Sequence, residues 1–217
     1  MNKLFYVTLI ISFVIYLILL TYIYLFQRNL LYHPSVNGYQ GDKINFDYEE
    51  VFIENKEGIK LKAWLHKKDL INKKTILFFH GNAGNLSNRN YKLNELSKFD
   101  VNFLILAYRG FSGNKGRPNE QGLYQDAKST LDWLKTKGVR EKNLILYGES
   151  LGTAIAIETA QNKNLAGIIL ESPFTSMIKL AQKYYPFLPV KLLLKDKFET
   201  IKKLPNINSP LLVLHGR

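Results

Sequence analysis

Chemistry in this chain starts from five residues, Gly148-Glu149-Ser150-Leu151-Gly152. An apolar run, Leu144 to Tyr147, precedes them, and small helix-compatible residues, Thr153 to Ala156, follow. That order predicts a strand, a sharp turn and a helix, with the Ser150 hydroxyl lifted clear of a sheet. Glycines on both sides fit a place where strand and helix backbones pass too closely for side chains. The helix start adds a positive dipole end and free N–H groups beside the hydroxyl. Ser150 is therefore the candidate nucleophile of an acyl transfer.

Acyl transfer passes through an oxyanion, which two fixed N–H donors stabilise. One is expected from Leu151, directly after the nucleophile. The other is expected from His80-Gly81-Asn82-Ala83-Gly84, a turn-prone loop after the apolar run Thr75 to Phe79, with Asn82 as donor. His80, immediately before the loop glycine, reads as a structural member of the loop and not as the base. Tyr108-Arg109-Gly110 closes another strand, and Arg109 reads as one half of an ion pair that steadies the turn.

These residues need a scaffold. Tyr48 to Asn55 and Ile59 to His66 alternate polar and apolar residues around Lys56-Glu57-Gly58, which predicts a β-hairpin. Buried strands are predicted at Thr75–Phe79, Val101–Ala107, Leu144–Tyr147, Ala166–Leu170 and Leu211–Leu214. Helices are predicted at Ser87–Phe99, with Ser87 as N-cap, at Asn119–Lys137 and after Ser150. Repeated β-α-β units give an α/β fold: a mostly parallel sheet with helices on both faces. Ligands in such folds bind at the carboxyl ends of the strands, where each of the motifs above lies. Ser172 to Ser209 is longer than a simple crossover and carries Tyr184 to Pro189 and Leu192-Leu193-Leu194. It is expected to form either a small apolar cap suited to an acyl chain or a plain crossover helix.

The first part of the chain is different. Leu4 to Phe26 carries no charge, and its 23 residues would span about 34 Å as a helix, enough for a bilayer core of about 30 Å. With no polar face and no small-x-small cleavage site after it, it reads as a retained single-pass anchor. Residues 1–27 are then the anchor, 28–42 a linker broken by His33-Pro34, Gly38 and Gly41, and 43–217 the globular domain. Lys3 before the span and Arg28 after it leave the membrane side undetermined.

The net charge is +12. It is spread along the chain without a nucleic-acid motif, so the expected partners are a bilayer surface and a small-molecule or lipid-like acyl substrate, not nucleic acid. There is no cysteine, which excludes disulfides, thiol catalysis and cysteine-based zinc sites. No metal or cofactor is called for.

The segments H-G-N-A-G-N at His80 to Asn85, Y-R-G-F-S-G at Tyr108 to Gly113, G-R-P-N-E-Q-G-L at Gly116 to Leu123, G-E-S-L-G, and E-S-P-F-T-S-M at Glu171 to Met177 resemble the α/β-hydrolase family. They are most similar to a membrane-anchored branch of serine-aminopeptidase-like and lysophospholipase-like hydrolases. The resemblance runs from about Phe26 to the end. It implies a Ser-His-Asp hydrolase of esters, thioesters or amides, with the triad acid two residues beyond Arg217 and the histidine about thirty residues later. The fold's last strands and helix would follow there as well. His33, His66 and His215 offer no substitute, and Glu171, an acid position in some relatives, has no histidine to orient. Two other functions stay open: a peptidase of short peptides, and a non-catalytic binding or scaffold protein of the same fold.

Overall fold

The computed structural model describes residues 3–35 and 42–216. The chain opens with helix α1, Lys3–Leu31, followed by a two-residue strand β1, His33–Pro34. The hairpin β2 (Glu49–Glu54) and β3 (Lys60–His66) turns at Gly58, where φ is 75°. Then come β4 (Thr75–Phe79), the short β5 (Ala83–Gly84), α2 (Asn90–Ser97), β6 (Asn102–Leu106), α3 (Glu120–Thr136), β7 (Leu144–Glu149), α4 (Leu151–Ala160) and β8 (Gly167–Glu171). Helices α5 (Met177–Tyr184) and α6 (Val190–Leu193), a 3₁₀ turn at Thr200–Asn206 and β9 (Leu211–Leu214) complete it.

Seven strands form one sheet in the order β2-β3-β6-β4-β7-β8-β9. The hairpin and its junction with β6 are antiparallel, and every pairing from β6 to β9 is parallel. All five residues of β4 and of β6 are buried, as a strand covered on both faces requires. Strand β9, expected to be buried, is exposed at all four residues, because it lies at the edge of the sheet with a neighbour on one side only. Leu77 and Phe79 pack on the side of α3 and α4, with Leu123, Leu131, Ile155 and Leu146. Ile76 and Phe78 pack on the other side, with Leu86, Leu93 and Phe103 near α2. Strand alternation thus divides the core between the two faces.

Several boundaries differ from the sequence reading, most of them by a residue or two at the strand ends. Ser87 does not cap α2. A 3₁₀ turn at Leu86–Arg89 comes first, and Asn85 and Asn88 cap it reciprocally, the Asn85 N–H donating to Asn88 Oδ1 at 2.8 Å. β8 begins and ends one residue later than expected. Helix α1 continues to Leu31, so residues 28–31 are helical where a linker was expected. Arg28 and Tyr32 are fastened to Asp196 at 2.9 and 3.1 Å, which holds this stretch on the domain. The glycines expected to break the linker, Gly38 and Gly41, lie outside the described residues. For α3 the cap matches expectation: Asn119 Oδ1 accepts from the Gly122 N–H at 2.9 Å, and Gly138 follows at φ 90°.

Segment 172–209 divides in two. Helix α6 lies against α1 and α5 packs on α6, whereas the Thr200–Asn206 turn packs on α4 on its way to β9.

Candidate active site

Ser150 stands between the end of β7 and the start of α4, exposed, with φ 50° and ψ −113°. A left-handed φ costs a serine on the order of 1–3 kcal/mol, so the surroundings must impose it. Backbone hydrogen bonds do so. The Ser150 N–H donates to the Glu171 carbonyl at 2.8 Å. The Ser150 carbonyl accepts from the N–H and Oγ1 of Thr153 at 3.0 and 2.6 Å. The flanking glycines are steric necessities. A Cβ on Gly148 would lie 2.5 Å from the Gly152 carbonyl oxygen, and one on Gly152 would overlap the Phe79 carbonyl. Helix α4 can leave so close to β7 and β4 only without those side chains.

Leu151 is buried and opens α4, where the first N–H groups have no partner within the helix. The loop after β4 comes alongside: a Cβ on Gly81 would sit 3.6 Å from Ser150 Cβ. Next in the chain, Asn82 turns its side chain and carbonyl away toward α1. Its Nδ2 donates to the Leu31 carbonyl at 2.7 Å, and its own carbonyl accepts from the His33 N–H at 2.9 Å. β1 then pairs with β5, His33 opposite Ala83 and Pro34 opposite Gly84. The loop beside Ser150 is thereby stitched to the end of the N-terminal helix. No spacing in the sequence announced that link.

An ion network missed by sequence reasoning borders the site. Lys92 Nζ reaches Glu149 Oε2 at 2.9 Å and both Glu171 oxygens at 2.7 and 2.6 Å. Arg89 joins Glu149 at 3.1 Å and the Ala83 carbonyl at 2.7 Å. The Tyr147 hydroxyl donates to Glu171 at 2.5 Å. Burial works against the Glu149 carboxylate, but Arg89 and Lys92 outweigh it and hold its pKa below the usual range. Burial and the bond to Glu171 push the Tyr147 hydroxyl up. A cavity of about 340 Å³ opens here, bordered by Gly84, Asn88, Arg89, Lys92 and Glu149. Glu171, weighed above as an acid, is therefore engaged with Lys92 and Tyr147. The signal that could have found the network was Glu149 itself, an acid placed directly before the candidate nucleophile.

The histidines are engaged elsewhere. His80 is fully buried between Tyr108 and Phe111, with Nδ1 2.7 Å from the Gly81 carbonyl. Burial and the neighbouring Arg89 cation hold its pKa down at about 3, so the ring is neutral at physiological pH. His66 packs on Phe103 with Nδ1 2.7 Å from the Asp47 carbonyl, His33 faces the Leu30 carbonyl, and His215 faces that of Gly216. Arg109 serves the turn, as expected. Its buried guanidinium meets buried Asp126 at 2.8 Å and, toward the surface, the exposed Glu57 at 2.9 Å.

A mixed sheet ordered in this way, with a strained serine elbow after β7 and a glycine loop after β4, defines an α/β-hydrolase fold. The comparisons agree. The family model described as "Serine aminopeptidase, S33" matches residues 71–205. The chain belongs to this hydrolase family. An uncharacterized protein of Mycobacterium tuberculosis is 33% identical over 200 residues, covering 91% of this chain and 71% of its own length. The alpha/beta hydrolase domain-containing protein WAV2 of Arabidopsis thaliana is 31% identical over 215 residues, covering 88% of this chain and 70% of its own. Among solved structures, an alpha-beta hydrolase from Vibrio vulnificus superposes with a TM-score of 0.67 at 25% identity, covering 78% of this chain and 64% of that one.

Proposed function

We propose that this protein is a membrane-anchored serine hydrolase that cleaves an ester, thioester or amide through an acyl-enzyme on Ser150. The observation that carries the reading is the elbow: a non-glycine residue held at φ 50° with its side chain exposed. Strain of that kind is kept where it positions a reacting group. Ser150 Oγ attacks the carbonyl carbon, and the backbone N–H groups of Asn82 and Leu151 receive the developing oxyanion. A base must take the serine proton and return it to the leaving group. The described histidines all face backbone carbonyls elsewhere, so this reading puts the base outside residues 3–216, where the family resemblance also puts it.

Helix α1 supports the anchor. Its 29 residues contain the only stretch among the described residues long and apolar enough to cross a bilayer. The substrate is a small-molecule or lipid-like acyl compound.

The family description favours a second reading, a peptidase of short peptides. The ion network argues against its aminopeptidase form. A substrate ammonium group needs an unpaired carboxylate near the nucleophile, and Glu149 and Glu171 are both neutralised by Arg89 and Lys92. A purely binding role leaves the cost of the elbow unexplained.

The test is fluorophosphonate labelling of the whole protein in its native membranes. Labelling that is lost in Ser150→Ala supports the reading, and equal labelling of both proteins refutes it. Extraction with carbonate tests the anchor: the protein stays in the membrane fraction, and its release would reject a spanning helix.

A further inference from the structure

Helix α1 does not leave the domain freely. The cap helices α5 and α6 lie alongside it. The Tyr16 hydroxyl donates to the Phe187 carbonyl at 2.9 Å. Toward the domain, Gln27 Nε2 donates to the Leu193 carbonyl at 2.9 Å, and its Oε1 accepts from the Lys195 N–H at 2.8 Å. Arg28 then holds Asp196 through two bonds of 2.9 and 3.0 Å. From Tyr16 to Gln27 an α-helix rises about 16 Å. The cap therefore runs down the side of α1 by roughly that distance, from the polar cluster to the Phe187 tip.

In the anchor reading, Tyr16 lies near the middle of the span, and so does the Phe187 carbonyl bonded to it. A backbone carbonyl at that depth must be paired within the protein, and the Tyr16 hydroxyl pairs it. The outer surface of the cap suits the same surroundings. Leu192 is 84% exposed, and Tyr184, Tyr185 and Phe187 are more than half exposed. Lys183 and Lys191 flank these aromatic residues in the sequence, with stems long enough to carry their charge toward anionic headgroups.

Between α1 and the cap lies an apolar groove of about 380 Å³, walled by Leu19, Ile23, Leu31, Ala181, Leu188 and Leu193. Its α1 wall runs from Leu19, inside the span in that reading, past the polar Gln27 and Arg28 to Leu31, whose carbonyl holds the Asn82 side chain of the loop beside Ser150. A groove that opens within hydrocarbon meets only what hydrocarbon contains. We infer that this groove binds one acyl chain drawn sideways from the bilayer, so that the substrate is a membrane-resident long-chain acyl compound. The inference deepens the function proposed above and rests on α1 being a membrane anchor.

Because the chain has no cysteine, single cysteines report position directly. The whole protein, reconstituted in phosphatidylcholine and phosphatidylglycerol vesicles, carries a nitroxide at Phe187→Cys, at Ile10→Cys in the span, or at Lys137→Cys on the far side of the domain. Relaxation by oxygen and by a water-soluble nickel chelate gives the depth of each label. The expected result is oxygen-dominated relaxation at 187 and 10, and nickel-dominated relaxation at 137. Nickel access at 187 with oxygen access at 10 overturns the inference and leaves the anchor standing. Nickel access at both removes the anchor, and the inference with it.

A phosphatidylcholine with a diazirine at the chain end tests the groove itself. Adducts are expected on Ile23, Ala181 and Leu193 as well as on outward Leu25. In Ala181→Trp, and independently in Ile23→Phe, the groove adducts are lost while those on Leu25 persist. Adducts at groove positions that neither substitution reduces would overturn the inference. None of these measurements uses catalysis, so they stand apart from the fate of Ser150.

Discussion

His80 offers a test of the loop that needs no substrate. Its ring is fully buried, and it stays neutral in the folded protein until about pH 3. In the unfolded chain a histidine takes up its proton near pH 6.5. Protonation therefore favours the unfolded state, and stability falls as pH drops below 6.5, the slope lasting until about pH 3. Each pH unit costs about 1.4 kcal/mol, so the loss between pH 6.5 and pH 5 is about 2 kcal/mol. Stopping at pH 5 keeps the measurement above the range where most carboxylates titrate. For a domain of this size, about 2 kcal/mol lowers Tm by roughly 4–8 °C. The assay is thermal unfolding of the detergent-solubilised protein at pH 7.5, 6.5 and 5.0, for wild type and His80→Gln. Groups common to both cancel in the difference, so only His80 should steepen the wild-type pH dependence. His80→Phe, which keeps a ring against Tyr108 and Phe111, serves if the glutamine variant does not fold. Equal pH slopes in wild type and variant would refute the argument. They would mean that the ring titrates normally and is open to water, and His80 would return as a candidate base.

Other expectations follow from single contacts. Asp126→Asn leaves the Arg109 guanidinium buried without its main counterion and should cost about 3–5 kcal/mol, read as a lower Tm. Gly152→Ala drives a Cβ into the Phe79 carbonyl and should cost at least 1–3 kcal/mol by overpacking; an unchanged Tm would show that the elbow has more room than described. Lys92→Met removes the cation between Glu149 and Glu171. The Glu149 pKa should rise, seen as an upward shift of the carboxyl resonance midpoint in an NMR titration, and no shift would mean that Arg89 alone sets it.

Much of this fold was legible because its signals are local. Strand β4 and strand β9 fall where their apolar runs do, although β9 is exposed and not buried, and α3 begins directly after its cap Asn119 and ends before Gly138 because capping is written in neighbouring residues. The elbow was legible for the same reason: the two glycines and the serine lie within five positions. The ion network was not, because Lys92 meets Glu149 and Glu171 across 57 and 79 positions. Nothing in the local pattern around Lys92 distinguishes it from a solvated lysine. The helical start of the expected linker, residues 28–31, was hidden in the same way. Arg28 reads as a charge that follows a span, and only its distant partner Asp196 makes it a structural residue. Ser87 was passed over as a cap because the asparagines on either side of it, Asn85 and Asn88, could bond to each other's backbone.

The stitching of Asn82 and β5 to the end of α1 changes what the proposed anchor would mean. A flexible tether of about fifteen residues would give the domain some 20 Å of slack and let it sample solution in a wide arc. With Arg28 and Tyr32 bound to Asp196, and His33 paired to the loop, that slack is absent at the junction. The domain cannot swivel about the helix without breaking the loop that borders Ser150. If α1 sits in a bilayer as proposed, the working distance of the domain from it is a property of the fold, and shortening the N-terminus to gain solubility would remove part of the frame of the loop beside Ser150 along with α1.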